Sequence, residues 1–82
     1  MSELEKKLRS AANDMFEIST MLDLLAGKVI RNDFALRQCE RHKDIQFRTM
    51  SASERIHTLA AMLDGIADEV QDCYRHGGAK DA

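Results

Sequence analysis

Two stretches of the chain carry apolar residues at alternating steps of four and three, the spacing of an amphipathic helix that packs against another helix. The first stretch runs from residue 4 to residue 29 and the second from residue 52 to residue 73. We call these positions the seam. It comprises Leu4, Leu8, Ala11, Met15, Ile18, Leu22, Leu25 and Val29, followed by Ala52, Ile56, Leu59, Leu63, Ile66, Val70 and Cys73. The pattern predicts two long bundle helices.

Capping residues and glycines mark the expected ends of the helices. A turn or kink is predicted between residues 27 and 33, because Gly27 weakens the first helix and Asn32-Asp33 offers a cap for a new one. The Gly77-Gly78 pair is typical of a helix end. We therefore expect one helical domain with a flexible tail behind it. The domain spans residues 1–76, with helices at about 3–27, 33–49 and 52–76, and the tail spans 77–82.

The middle of the chain leaves two arrangements open. Residues 31–50 are compatible with a helix but have no clear apolar period. Ser51-Ala52-Ser53-Glu54 resembles a capping box, in which the serine and the glutamate each bond a backbone N–H of the other, and this favours a three-helix chain. Mid-helix serine is tolerated, however, and without a break one helix runs from about residue 33 to residue 76 and forms a helical hairpin.

Composition supports an all-α fold of one domain. The chain has 82 residues, of which 44% are hydrophobic and 5% aromatic, and it contains no proline. A core of this size supplies only a few kcal/mol, and a two-helix hairpin cannot cover both wide apolar stripes by itself. Two hairpins packed into a four-helix bundle would cover them. We therefore expect a homodimer, assembled as a dimeric helical bundle.

The same composition bears on where the chain works. No apolar run approaches the roughly 20 residues of a membrane span, and the first residues have no apolar core of a signal peptide. We expect a cytoplasmic protein without membrane contact. In that reducing compartment Cys39 and Cys73 are expected as thiols or metal ligands and not as a disulfide.

Charge is distributed unevenly along the chain. Residues 28–55 carry a net charge of +3, whereas residues 1–27 and 56–82 carry −2 and −3. A basic middle segment with Phe34 and Phe47 as stacking groups would suit nucleic acid. The interleaved acids and the pI of about 5.9 argue against nucleic acid. An Arg-rich patch that meets an acidic protein partner fits the charge distribution better. Nucleic acid remains the alternative partner.

Two constellations resemble metal sites. Each of the tetrads Cys39-Glu40-Arg41-His42 and Cys73-Tyr74-Arg75-His76 places a thiol and an imidazole three residues apart. Together Cys39, His42, Cys73 and His76 would complete a Cys₂His₂ zinc site, although one chain folded as a hairpin keeps the pairs apart. Glu54-Arg55-Ile56-His57 has the Glu-x-x-His spacing of di-iron bundles, but the heptad phase points Glu54 outwards.

The motifs of familiar enzymes are missing from the sequence. It has no G-x-S-x-G elbow, no Walker loop and no Gly-x-Gly-x-x-Gly, and a small helical core leaves little room for a substrate pocket. We therefore expect a non-enzymatic protein-interaction module, a regulator or inhibitor that occupies a surface of a larger partner. Its contact residues are predicted away from the seam. They are the apolar Phe16, Leu24, Ile30, Phe34 and Phe47, with Arg37, Arg41 and Arg48 at the rim.

Overall fold

Two long antiparallel helices form a hairpin in a computed structural model, which describes the backbone of residues 2–81 and the side chains of residues 2–76. Its elements are α1 (Glu3–Leu24), a π-helical segment (Leu25–Ile30), α2 (Phe34–Arg37) and α3 (His42–Asp81). The hairpin measures 67 × 15 × 12 Å between Cα atoms. The expected all-α fold class is confirmed, since the described residues contain no strand.

Helix α1 begins at a side-chain cap. Ser2 has extended backbone geometry, and its Oγ accepts a hydrogen bond from the Glu5 backbone N–H at 3.0 Å. Glu3 and Glu5 add negative charge in the first turn, which the positive end of the helix dipole favours. These two effects fix the start of the helix at residue 3.

The turn predicted between residues 27 and 33 lies at the end of that range. The helix passes Gly27 by widening into the π-helical segment, and the chain leaves helical geometry at Asp33. Asp33 Oδ1 then accepts from the Leu36 N–H at 2.8 Å and caps α2, as predicted from the sequence. The middle helix is much shorter than the predicted span of 33–49, because α2 ends at Arg37 and a turn leads directly into α3.

The break predicted at Ser51 is absent, and α3 runs without interruption from His42. Inside this helix Thr49 Oγ1 donates to the Ile45 carbonyl oxygen at 2.9 Å, so its hydroxyl is satisfied without a cap. The structure thus agrees with the hairpin alternative in that one helix runs through residue 51, and it differs in that the short separate helix α2 precedes α3. α3 also continues past Gly77-Gly78 to Asp81, and the flexibility predicted for the tail at 77–82 lies outside what the structure describes.

The two long helices meet along small residues, and not along the seam. We call this set the small-residue line: Ala12 and Ser19 on α1, Ala26 in the π-helical segment that continues it, and Ser53, Ala60 and Ala67 on α3, all buried. Its members recur every seven residues and so occupy one row on each helix. Small side chains at the contact allow the two helix axes to approach closely. Among the described residues the fully buried apolar side chains are alanines alone, so this core is thin.

Hydrogen bonds between the helices set their register. Ser19 Oγ donates to the Ser53 carbonyl oxygen at 3.1 Å, and Ser53 Oγ donates to Asp23 Oδ1 at 2.7 Å. One heptad nearer the turn, Gln46 Nε2 donates to the Ala26 carbonyl oxygen at 2.9 Å. These two layers align the small-residue lines of the two helices. No helix within the described chain is long and apolar enough to cross a membrane.

Candidate interaction surfaces

The seam residues of both helices lie on one side of the hairpin. The other side is marked by two contacts between residues that come four positions after a buried residue of the helix contact. The Phe16 and His57 rings pack with centroids 5.0 Å apart, and Arg9, four positions after buried Glu5, lies 4.0 Å from Asp64. On each helix, a seam residue up to position 70 lies either three positions after one buried contact residue or one position before the next buried contact residue. Helical geometry therefore places them on the side opposite those contacts. We call that side the seam face.

The seam face is apolar and largely uncovered. Six of its large aliphatic side chains are between 40% and 52% exposed: Leu4, Ile18, Leu25, Val29, Leu59 and Ile66. Leu8, Met15 and Leu22 on α1 and Ile56, Leu63 and Val70 on α3 are half-buried beside the small-residue line. No seam position carries a charge. An exposed apolar stripe of this extent usually marks a binding surface.

The opposite side of the hairpin is polar and carries ion pairs. Arg9 lies 2.7 Å from Asp68 across the helices and 3.0 Å from Glu5 on its own helix. Its hydrogen bonds to Asp68 and then to Glu5 raise the pKa of the Arg9 guanidinium above its ordinary value. The Glu5 side chain is buried there and has this cation as its partner. This side therefore needs no further layer of helices.

A second surface surrounds the turn between the helices. We call it the loop-end surface: the exposed residues Phe34, Arg37, Arg41, Phe47 and Arg48, with Arg31 and Lys43. The Phe34 and Phe47 side chains are 78% and 67% exposed. An open cleft at this end is lined by Arg31, Asn32, Arg37, His42, Lys43 and Gln46, with no acidic side chain. The surface thus combines bare aromatic rings with positive charge.

Little of that positive charge is neutralised within the described chain. Arg48 lies 3.7 Å from Asp44, one turn away on the same helix. Asp33 already accepts the capping hydrogen bond from Leu36. None of the ion pairs between described residues includes Arg31, Arg37 or Lys43. These cations can therefore pair with an acidic group from outside the chain.

The remaining predicted contact residues are not part of the loop-end surface, because Phe16 and Leu24 lie further along the hairpin and the Ile30 side chain is half-buried at the turn. Phe16 is half-buried against His57, about 15 Å along α3 from Phe47 by the helical rise. Ile30 is half-buried, and its carbonyl oxygen accepts from His42 Nε2 at 2.8 Å. Leu24 is 53% exposed and lies on the outer side of α1, two positions before buried Ala26. The structure thus places Phe34, Arg37, Arg41, Phe47 and Arg48 as exposed residues at one end of the hairpin, whereas Phe16, Leu24 and Ile30 are not part of that exposed set.

The four residues proposed for zinc do not meet within one chain. Cys39 lies in the turn before α3, and Cys73 lies near the far end of that helix, about 46 Å from His42 by the helical rise. Both thiols are free and exposed. His76 is exposed at the same end as Cys73. Across the described side chains, no three potential metal ligands come together.

The Glu-x-x-His pair is likewise dispersed. Glu54 is exposed, as the heptad phase predicts, and His57 packs its ring edge against Phe16. The neighbouring Asp23 carboxylate accepts from the Ser53 hydroxyl. The acidic side chains around this point are thus used between the helices or face solvent.

The small-residue line is the feature that sequence reasoning missed. Its signal was present, because alanine and serine recur at intervals of seven one position after the seam residues Ala11, Ile18 and Leu25, and again after Ala52, Leu59 and Ile66. Where a row of small residues runs beside a row of large ones, the small row is the one that packs against the closely spaced partner helix. The large row then remains available for a contact with another molecule.

Comparisons with protein-family models, with curated proteins and with solved structures returned no match for this chain. Its function is therefore inferred from the two surfaces themselves.

Proposed function

We propose that this chain is a non-enzymatic protein-interaction module, a regulator or inhibitor that occupies a surface of a larger protein. One observation carries the proposal: Phe34 and Phe47 are 78% and 67% exposed at the turn, beside cations that form no ion pair with the described residues. Exposed apolar and aromatic groups on a stable scaffold are typical of binding surfaces. The hairpin supplies the scaffold.

The loop-end surface is the contact for that partner. Phe34 and Phe47 are aromatic anchors of the kind that dominate interface energies when a partner encloses them. Arg37, Arg41 and Arg48 surround them as a positive rim, which speeds association with an acidic surface and fixes its orientation. The partner that fits is a larger protein with an acidic rim around an apolar pocket.

The non-enzymatic part of the proposal is supported by how the polar groups are used. The hydroxyls of Ser19 and Ser53 bond within the helix contact, and the Arg9 guanidinium bonds Asp68 and Glu5. The cleft at the turn is open, whereas substrate sites bury most of their ligand. Free thiols at Cys39 and Cys73 agree with a cytoplasmic location, which we include in the proposal.

Nucleic acid is the second candidate partner, and the acid-free cleft together with the two exposed aromatic rings favours it. Counterion release would make such binding fall steeply with salt. The acidic residues Asp33, Glu40 and Asp44 beside the cations weaken a phosphate-binding face. We therefore prefer the protein partner and treat nucleic acid as an outcome of the test.

The proposal predicts that Phe34→Ala with Phe47→Ala abolishes binding to the protein partner while helicity is unchanged. The partner is first identified by affinity capture with nuclease present, and its dissociation constant is then measured with purified components. Loss of an aromatic anchor costs about 2 kcal/mol, so each single substitution weakens binding by about thirtyfold. Circular dichroism reports helicity.

Tyr74→Ala is the matched aromatic control, because Tyr74 is 62% exposed at the opposite end of the hairpin. Arg75→Glu is the corresponding charge control for Arg37→Glu, which we expect to slow association. Binding that disappears with nuclease, or that Tyr74→Ala weakens as much as the loop-end substitutions, would overturn the proposal. Loss of helicity in the double variant would show that the two phenylalanines belong to a core.

A further inference from the structure

The seam face has the size and chemistry of a helix-bundle interface. From Leu4 to Val29 it is about 38 Å long by the helical rise, and it extends across both helices of the hairpin. A strip of that length and about 15 Å wide covers about 570 Å², below the roughly 800 Å² per partner of a standard interface. The seam face thus has the area of an interface at the lower end of the size range, and its apolar composition adds to what that area provides.

We propose that a second copy of this chain covers the seam face, so that two hairpins pack into a four-helix bundle. The inference concerns a different surface from the loop-end surface and does not depend on it. Three observations support a second copy as the occupant: the lack of charge on the face, the shared heptad period of its two helices, and the thin core of the hairpin.

The chemistry of the face suits a copy of itself. The seam has no charged side chain that could pair with a charged partner. Two identical apolar faces can therefore pack against each other as they are. Both helices present seam residues at steps of four and three, so the ridges of one copy fit the grooves of another at the shallow angle of helical bundles. Self-complementary faces related by a two-fold axis are the commonest form of oligomer.

The thin core gives the reason that the hairpin needs a cover. Its small-residue line buries alanine and serine, whereas the large aliphatic side chains remain between 40% and 52% exposed on the seam face. Burying them in a dimer supplies the apolar burial that a chain of this size lacks by itself. The ion-paired side around Arg9 has no comparable stripe, so association ends at two copies.

Light scattering and sedimentation velocity of the wild-type chain test the stoichiometry, and we expect twice the 9.3 kDa mass of one chain. Leu25→Asp and Leu59→Asp place a carboxylate on the seam face. An unpaired charge buried in an interface costs several kcal/mol, so each substitution should weaken the dimer by at least about a hundredfold. The double variant Phe34→Ala with Phe47→Ala should still have the mass of a dimer.

The matched controls are Leu24→Asp and Thr58→Asp, which change the neighbouring positions one step off the seam face. Hydroxyl-radical footprinting of the wild-type chain supplies a readout for which no variant has to fold: Leu59 and Ile66 should be protected and Leu24 modified. A monomer at every concentration, a larger oligomer, or equal dissociation by the control variants would overturn the proposal. A folded monomer would leave the loop-end function standing and assign the seam face to another protein.

Discussion

At the scale of single residues, the Ser19–Ser53 layer places two buried hydroxyls in a contact whose buried apolar side chains are alanines. Both side chains are buried, and both hydroxyls are hydrogen-bonded, with Ser53 Oγ 2.7 Å from the Asp23 carboxylate. Satisfied polar groups of this kind contribute little net stability but penalise any shift that would break them. The layer therefore sets the register of α1 against α3 more than it holds them together.

This role predicts non-additive effects of alanine substitution. Ser53→Ala should lower the free energy of unfolding by about 1 kcal/mol, because it removes the hydroxyl that donates to Asp23 and that pairs with the Ser19 hydroxyl. Ser19→Ala with Ser53→Ala converts the layer into a copy of the Ala12–Ala60 layer and should lie within about 0.5 kcal/mol of the wild type. Urea unfolding measures both.

Exposed Ser10→Ala serves as the control, since it reports the gain in helix propensity without any change at the contact. The singles and the double form a double-mutant cycle. If the double variant loses as much unfolding free energy as the two single variants lose together, the hydroxyls stabilise the hairpin directly.

At the scale of helices, the sequence predicted the elements better than their contacts. The heptad spacing predicted α1 and most of α3, and the acceptor at Asp33 predicted the cap of α2. The predicted break at Ser51 was wrong because a capping box acts only where the chain already leaves helical geometry. Here α3 packs against α1 both before and after Ser51, so the helix continues through it. Spacing also could not show which row of α1 faces α3, since that depends on residues distant in the chain.

The contact residues illustrate the same limit. Phe34, Arg37, Phe47 and Arg48 share the loop end because the turn holds this short stretch of chain together. Phe16, by contrast, looked available from its position off the seam, and it is half-buried because His57 comes from the other helix to lie against it. Which residues lie together at the turn could thus be predicted from the local sequence. Which side chains are buried could not, because burial depends on how the two helices pair.

The small-residue line makes a prediction about helix spacing. Ala60→Leu inserts a large side chain at a fully buried position of the helix contact, and overpacking of this kind lowers the free energy of unfolding by about 1–3 kcal/mol. The adjacent Ala61 is exposed, so Ala61→Leu should remain within about 0.5 kcal/mol of the wild type. Both variants add the same atoms to the same helix, and urea denaturation compares them. Equal effects would show that the small residues do not determine the approach of the helices.

At the scale of the whole molecule, the proposed dimer would make folding depend on concentration. If the seam face is covered only in the complex, unfolding and dissociation occur together and the melting temperature rises with chain concentration. Two chains of 82 residues unfold with an enthalpy of about 115 kcal/mol at about 0.7 kcal/mol per residue, which gives a rise of about 4 °C for each tenfold increase in concentration.

Differential scanning calorimetry over two decades of concentration measures this slope directly. Leu24→Asp should retain it, because that residue lies off the seam face, whereas Leu59→Asp should melt at a lower temperature. A calorimetric enthalpy equal to the van't Hoff enthalpy of a dimer would show that the hairpin has no stable folded state by itself. A melting temperature independent of concentration would mean that the alanine and serine contact is sufficient, and that the exposed seam serves a partner that arrives after folding.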